Sequence, residues 1–259
     1  MSIKRYAVVT GASRGLGRAY ALELARRGFP LILIRSSDHI LAQCQEIENQ
    51  YHVDCHGFKA DLTNQESLFN VAKELNQHYK IFFLVNNAGL GGSQAFTAVT
   101  MERYETILKL NVMATAMLTK LLIDNLLRQP KSYILNVASM AAFTPVGYKM
   151  VYPASKSFVY NFSLGLREEF RHSPLSVSVV CPGAMATSPE ITARIEHQGG
   201  FGQLTLVAPE TVARKSVRQT LRGRKEIVVN PLSRFFTKIT PNCILVPLLS
   251  RIVRRETEM

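Results

Sequence analysis

Cysteine is scarce: four stand in 259 residues, at 44, 55, 181 and 243. With no Cys-x-x-Cys pair and no even framework in a short chain, this usage argues against a disulfide scaffold and for reduced thiols, as in the cytoplasm. Long apolar runs are lacking too. The longest in the tail, Cys243 to Leu249, is short and interrupted by Pro247, and a strand-like stretch already begins at Tyr6, so neither a secretory core nor a membrane span is expected. Acidic residues are in deficit, 19 Asp and Glu against 31 Lys and Arg, for a net charge of +12. That excess leaves an anionic partner open without requiring one. Core material is plentiful. Apolar residues are 47% and charged residues 19% of the chain, a balance that rules out a mainly disordered chain, and the length suits one large α/β domain.

Short aliphatic runs alternate with segments of helical spacing. The strand candidates are Tyr6 to Thr10, Leu31 to Ile34, Cys55 to Lys59, Ile81 to Val85, Ser132 to Val137, Leu175 to Cys181 and Ile227 to Val229. Helices are expected near 16 to 28, 38 to 51, 64 to 79, 101 to 129, 151 to 172 and 209 to 222, the last opened by Pro209. Seven strands alternating with helices, and nearly continuous in apolar residues, predict a single doubly wound (Rossmann) domain with a seven-stranded parallel sheet covered on both faces. That domain is expected over 1–230, with a basic and apolar extension over 231–259. No repeat or linker divides the chain.

After the first strand runs Thr10-Gly11-Ala12-Ser13-Arg14-Gly15-Leu16-Gly17, placing three glycines on a strand-to-helix turn. Glycines there allow a sharp turn and close approach of backbone to a pyrophosphate, whose charge then faces free N–H groups at the helix N-terminus. A site for NAD(H) normally offers a carboxylate at the end of the second strand, where this chain reads Ile34-Arg35-Ser36-Ser37. Arg35 and Arg14, with Ser36 and Ser37, suit a 2′-phosphate, so NADP(H) is preferred over NAD(H). Asp38, just downstream, is the residue that would weaken this reading by reaching a ribose.

Of nine tyrosines, only Tyr152 is followed four residues later by lysine, in Tyr152-Pro153-Ala154-Ser155-Lys156. At the start of a helix this spacing puts phenol and ammonium on one face. A nearby cation lowers the pKa of a phenol, so Lys156 is expected to bring Tyr152 toward neutrality. Ser139, thirteen residues upstream at a strand end, and Asn111, inside a long apolar helix, are polar residues placed to join them. Gly11, Asn87, Ser139 and Pro182 all follow strands on the carboxyl edge, where open parallel sheets bind ligands.

With these motifs in order, the chain from Tyr6 to about Val229 resembles the short-chain dehydrogenase/reductase family. The marks are the Thr10 to Gly17 loop, Asp61-Leu62, Asn86-Asn87-Ala88-Gly89, Asn111, Ser139, Tyr152 with Lys156, and Pro182-Gly183 followed by Thr187. The resemblance implies hydride transfer between NADP(H) and a carbonyl or secondary alcohol. It makes Tyr152 the general acid or base, Ser139 a hydrogen-bond partner of the substrate oxygen, Lys156 also a ligand of the nicotinamide ribose, and Asn111 the holder of a relay water. It places Asp61 and Leu62 at the adenine, Asn87, Ala88 and Gly89 along the adenosine, and Pro182, Gly183 and Thr187 at the nicotinamide. The rival reading is a sensor or scaffold protein that binds NADP without turnover while its basic tail engages membrane or nucleic acid; the intact Ser139, Tyr152 and Lys156 argue against it, and no nucleic-acid partner is expected.

Substrate choice should reside in 184–206 and in residues after Ser139. Phe143, Tyr148 and Met185 are candidates to line an apolar pocket for a lipophilic ketone, 3-oxoacyl or steroid-like, although ordinary packing explains such residues equally well. From Arg214 onward eleven basic residues face three acidic ones, a net +8. Interleaved with apolar residues, this segment suits either peripheral contact with an anionic membrane or a docked tail with its cations in water. Docking is favoured, because Pro231, Pro241 and Pro247 oppose one long amphipathic helix. The departure of this tail from the shorter family pattern leaves the family's homo-oligomer, dimer or tetramer, as an expectation only. His52-Val53-Asp54-Cys55-His56 lacks a second ligand pair at zinc spacing, so no metal is expected.

Overall fold

The computed structural model describes residues 4–185, 207–229, 239–255 and 257. Seven strands form one sheet: β1 (Tyr6–Thr10), β2 (Leu31–Arg35), β3 (Cys55–Lys59), β4 (Ile81–Asn86), β5 (Ser132–Val137), β6 (Leu175–Cys181) and β7 (Glu226–Val228). Every pairing is parallel and the order is β3-β2-β1-β4-β5-β6-β7. The central strands carry apolar side chains at successive positions because both of their faces are covered, so the period-two alternation of a half-exposed strand is absent. The last strand begins one residue earlier than the sequence pattern places it.

One face of the sheet packs on α1 (Gly15–Arg26) and α2 (Ile40–Tyr51). A later helix over Pro209–Leu221 joins the same core through Val212, Ala213 and Val217 and presses on α1, where the buried Tyr20 and Ser216 hydroxyls lie 2.9 Å apart. The opposite face packs on α3 (Gln65–His78), whose first turn is capped by Asn64 accepting from the Ser67 N–H at 2.9 Å.

The segment expected as one helix over 101–129 is three pieces. Thr100 caps α4 (Met101–Leu108), a π turn spans Lys109–Met113, and α5 (Ala114–Leu127) follows. By length and composition Met101–Leu127 would suffice to cross a membrane. Its α5 part packs in the core, with Leu118, Leu122 and Leu126 at most 1% exposed against the sheet. Helix α6 (Val151–Glu169) follows β5, and the Pro209–Leu221 helix is α7.

In the tail, α8 (Asn242–Arg255) runs through Pro247, contrary to the expectation that prolines interrupt it. A proline inside a helix removes one hydrogen bond, and tertiary contacts offset that loss here. Leu245 and Val253 are buried, and Ser250 Oγ accepts from the Gly147 N–H at 2.8 Å. Helix α8 is therefore docked against the segment between Ser139 and Tyr152.

Candidate active site

Strand order reverses between β1 and β4, which opens a crevice at their carboxyl ends. The loop after β1 is cut to fit the loop after β4. Gly11 and Gly15 have φ of 66° and 54°, values that disfavour side chains with a Cβ, and a Cβ on Gly17 would lie 2.1 Å from Gly11 O and 2.6 Å from Asn87 Nδ2. Thr10 Oγ1 accepts from the N–H groups of Asn87 and Ala88 at 3.0 and 2.9 Å, and Asn87 Nδ2 donates to Thr10 O at 2.9 Å. Asn87 thus ties two loops together. Arg14, extended at φ −154°, precedes α1 without capping it, and no acidic residue occupies the first turn. Bare N–H groups behind a glycine turn fit an anionic pyrophosphate. The Leu16 and Leu62 side chains lie in the core, so a nucleotide would meet those residues through backbone.

At the end of β2, Arg35 Nη1 donates to Gln43 Oε1 at 3.3 Å, and Gln43 Nε2 donates to Ala12 O at 2.7 Å. Sequence reading misses Gln43, which links the arginine to the glycine turn across 31 positions. Arg35 Nε is buried without a partner among the described residues, so the guanidinium retains unspent donors beside the turn. Ser36 is exposed and Ser37 half-buried nearby. Asp38 pairs with Lys59, which holds its carboxyl below the usual range and gives it a partner other than a ribose. Asp61 accepts from the Thr63 N–H and hydroxyl at 2.9 and 2.8 Å, a turn that fixes the carboxylate at the end of β3.

Asn111, Ser139, Tyr152 and Lys156 converge. Ser139 ends the β5 loop, where its Oγ accepts from the Ala141 N–H at 3.1 Å and its side chain hydrogen-bonds to Tyr152. Lys156 is 5% exposed and donates to Val137 O at 2.9 Å, with its ammonium 5.9 Å from the Tyr152 ring centre. The π turn directs Asn111 into the interior, where Oδ1 accepts from the Leu90 N–H at 2.8 Å while Nδ2 donates to Leu90 O and Ser155 Oγ, both at 2.9 Å. Both amide hydrogens are spent on protein. A Cβ on Gly89 would lie 3.2 Å from both Asn111 Oδ1 and Lys156 Nζ, so this cluster closes directly on the β4 loop.

The expected effect of Lys156 on Tyr152 is not what the structure shows. Burial raises the phenol above its ordinary pKa, and the bond from Ser139 only partly opposes it. Burial also lowers the ammonium, to about 8. Desolvation outweighs charge attraction at this separation.

A cavity of about 130 Å³ opens beside the Tyr152 ring, lined by residues from 92 to 107 and 148 to 152. Tyr148, at φ 62°, is among its lining residues. Phe143 instead meets Tyr160 edge-on at 4.9 Å, and Met185 packs on the core face that holds α1. Pro182 O accepts from the Met140 N–H at 2.9 Å, which fixes the β6 end against the serine turn beside Gly183. Thr187 and most of 184–206 lie outside the described residues. His56, from the His-rich stretch, sits among Tyr6 and Tyr79 with ring centres 5.6 and 5.2 Å away.

A parallel sheet of this order with a glycine cradle at its switch point defines a dinucleotide-binding domain of the Rossmann class. Residues 5–198 match the short chain dehydrogenase family, and the chain belongs to that family. It is 34% identical over 187 residues to the very-long-chain 3-oxoacyl-CoA reductase of Anas platyrhynchos, a match covering 70% of this chain and 60% of that protein. It is 30% identical over 217 residues to the 3-oxoacyl-(acyl-carrier-protein) reductase of Aquifex aeolicus, covering 81% and 87%. Among solved structures, a short-chain dehydrogenase from Sphingobium yanoikuyae in complex with NADPH superposes with a TM-score of 0.80 at 26% identity, covering 90% of this chain and 92% of that one.

Proposed function

We propose that the protein is an NADP(H)-dependent oxidoreductase that interconverts a carbonyl and a secondary alcohol, with a 3-oxoacyl or similarly lipophilic ketone as substrate. The observation that carries this reading is the meeting of Ser139, Tyr152 and Lys156 on the same sheet edge as the glycine cradle, with Tyr152 facing a cavity. A nicotinamide dinucleotide held by Gly11 to Gly17 would supply or receive the hydride. Tyr152 hands the proton to the carbonyl oxygen, and a phenol whose pKa lies above its ordinary value is protonated throughout the neutral range, the state that reduction requires. The Ser139 hydroxyl holds that oxygen. Lys156 carries positive charge toward the site and orients on Val137 O, while Asn111 fixes the Leu90 backbone beside it.

The preference for NADP(H) rests on Arg35, with its unspent donors, and on the engagement of Asp38 by Lys59. The 3-oxoacyl reductases of Anas platyrhynchos and Aquifex aeolicus support the substrate class. In this reading α8 is a docked part of a homo-oligomeric catalytic domain. Ile244 and Leu248, exposed beside Arg251 and Arg255, are the residues that would meet an anionic lipid surface.

The test is Tyr152→Phe. Reduction of a ketone panel, followed by NADPH absorbance, should fall about 10²- to 10⁴-fold, the range of general acid catalysis, while NADPH binding by fluorescence stays unchanged. Turnover at the parental rate would remove Tyr152 from the mechanism.

A further inference from the structure

The cavity beside Tyr152 is more polar than a lipophilic substrate requires. Its wall carries the cations Arg103 and Lys149 and the polar side chains of Ser93, Gln94 and Tyr104, and no carboxylate among the described residues lines it. Arg103 lies in the first turn of α4 and folds back over the β4 loop, where Nη2 donates to Gly91 O at 2.9 Å. Gly91 is the spacer between this cation and the phenol: a Cβ placed on it would touch the Tyr152 ring at 3.4 Å. One residue therefore separates guanidinium from ring. A guanidinium offers five donors in a planar fork, and the Gly91 contact uses one.

Neighbouring carboxylates on α4 are otherwise engaged. Glu105 pairs with Lys109 at 2.8 Å, and Glu102 is bound by its own backbone N–H and the Thr100 hydroxyl. No ion pair joins Arg103 to an acidic residue among those described. A guanidinium poised on a cavity without a carboxylate partner is a ready acceptor for a carboxylate or phosphate, and its planar fork matches either one bidentately.

We propose that Arg103 forms an anion subsite, so that the preferred substrate carries an anionic oxygen group, carboxylate or phosphate, near the carbonyl presented to Tyr152. This deepens the carbonyl-reductase reading and rests on it. The subsite narrows the substrate class away from neutral ketones such as steroids, and it makes Arg103 a specificity residue rather than a catalytic one.

The experiment compares acetoacetate, 2-oxopropylphosphonate and the neutral methyl acetoacetate with wild type, Arg103→Gln and Arg103→Lys. Wild type should favour at least one anionic probe over the ester in kcat/KM. Arg103→Gln should lower that advantage about tenfold, the anionic probe losing far more kcat/KM than the ester, and Arg103→Lys should retain part of it. Raising salt from 50 to 500 mM should raise KM for the anionic probe alone, because a charge at the mouth of a cavity is screened. An advantage confined to acetoacetate identifies a carboxylate as the anion, and one confined to 2-oxopropylphosphonate identifies a phosphate-like group. Equal kcat/KM for all three probes in wild type, or an equal loss for all in Arg103→Gln, would overturn the subsite.

Calorimetric titration of the same probes into the NADP⁺-loaded protein reads the subsite without turnover. Tighter binding of an anionic probe that vanishes in Arg103→Gln supports it even if no ketone is reduced, a result that would defeat the oxidoreductase reading alone. Binding that ignores the anion defeats the subsite alone.

Discussion

Arg35 shows how far one side chain depends on another that the sequence does not advertise. Its position at the end of β2 is legible, because an arginine stands where a carboxylate would serve NAD(H). Its orientation is not. Gln43, eight residues on, bonds both Arg35 and the backbone of Ala12, a relation set by how α2 lies across the turn. Arg35→Asp should lower NADPH affinity about 10- to 100-fold relative to NADH, the size of a lost charge-assisted hydrogen bond or two, and Gln43→Ala should shift the same ratio less, both by fluorescence titration. An unchanged ratio in Arg35→Asp would end the cofactor assignment. The Tyr152–Lys156 spacing was equally readable, whereas its electrostatic consequence was not: burial reverses the direction that proximity suggests, and no spacing rule reports burial.

Elements were legible where packing demands long apolar runs. β1, β4 and β5 are buried throughout and stand out in sequence, whereas β7, three residues long at the sheet edge, is displaced by one. The π turn left no mark, since Leu108 to Met113 fits the apolar spacing of one continuous helix. For the turn after β1, the glycine pattern is visible in sequence, whereas the reason for each glycine lies in how the β1 and β4 loops pack. Gly17→Ala would drive a methyl into Gly11 O and Asn87 Nδ2, so it should cost about 1–3 kcal/mol in urea unfolding and abolish detectable dinucleotide binding, because the two loops must separate to admit it. Retention of wild-type affinity would show that the cradle tolerates a side chain.

At the scale of the whole molecule, the buried ammonium makes stability depend on pH. Lys156 titrates near 8 in the folded protein against 10.5 when free, so between those values the unfolded chain binds the extra proton. Stability should therefore rise as pH increases from about 8 toward 10, and the full desolvation cost should be present below 8. Thermal melts of the cofactor-free protein at pH 7, 8, 9 and 10 should show this rise, and Lys156→Met should remove it. A rise of equal size in that variant would assign the effect elsewhere.

The π turn also carries a consequence for insertions and deletions in this gene. A regular helix advances about 100° per residue, so the extra residue held between 109 and 113 sets the rotational phase of everything before it relative to α5. Excising one codon there would leave a tidier helix by every local measure, yet it would swing Arg103 and Tyr104 a quarter-turn or more away from the phenol. Deletions that are harmless on the outer loops would be silencing at this spot.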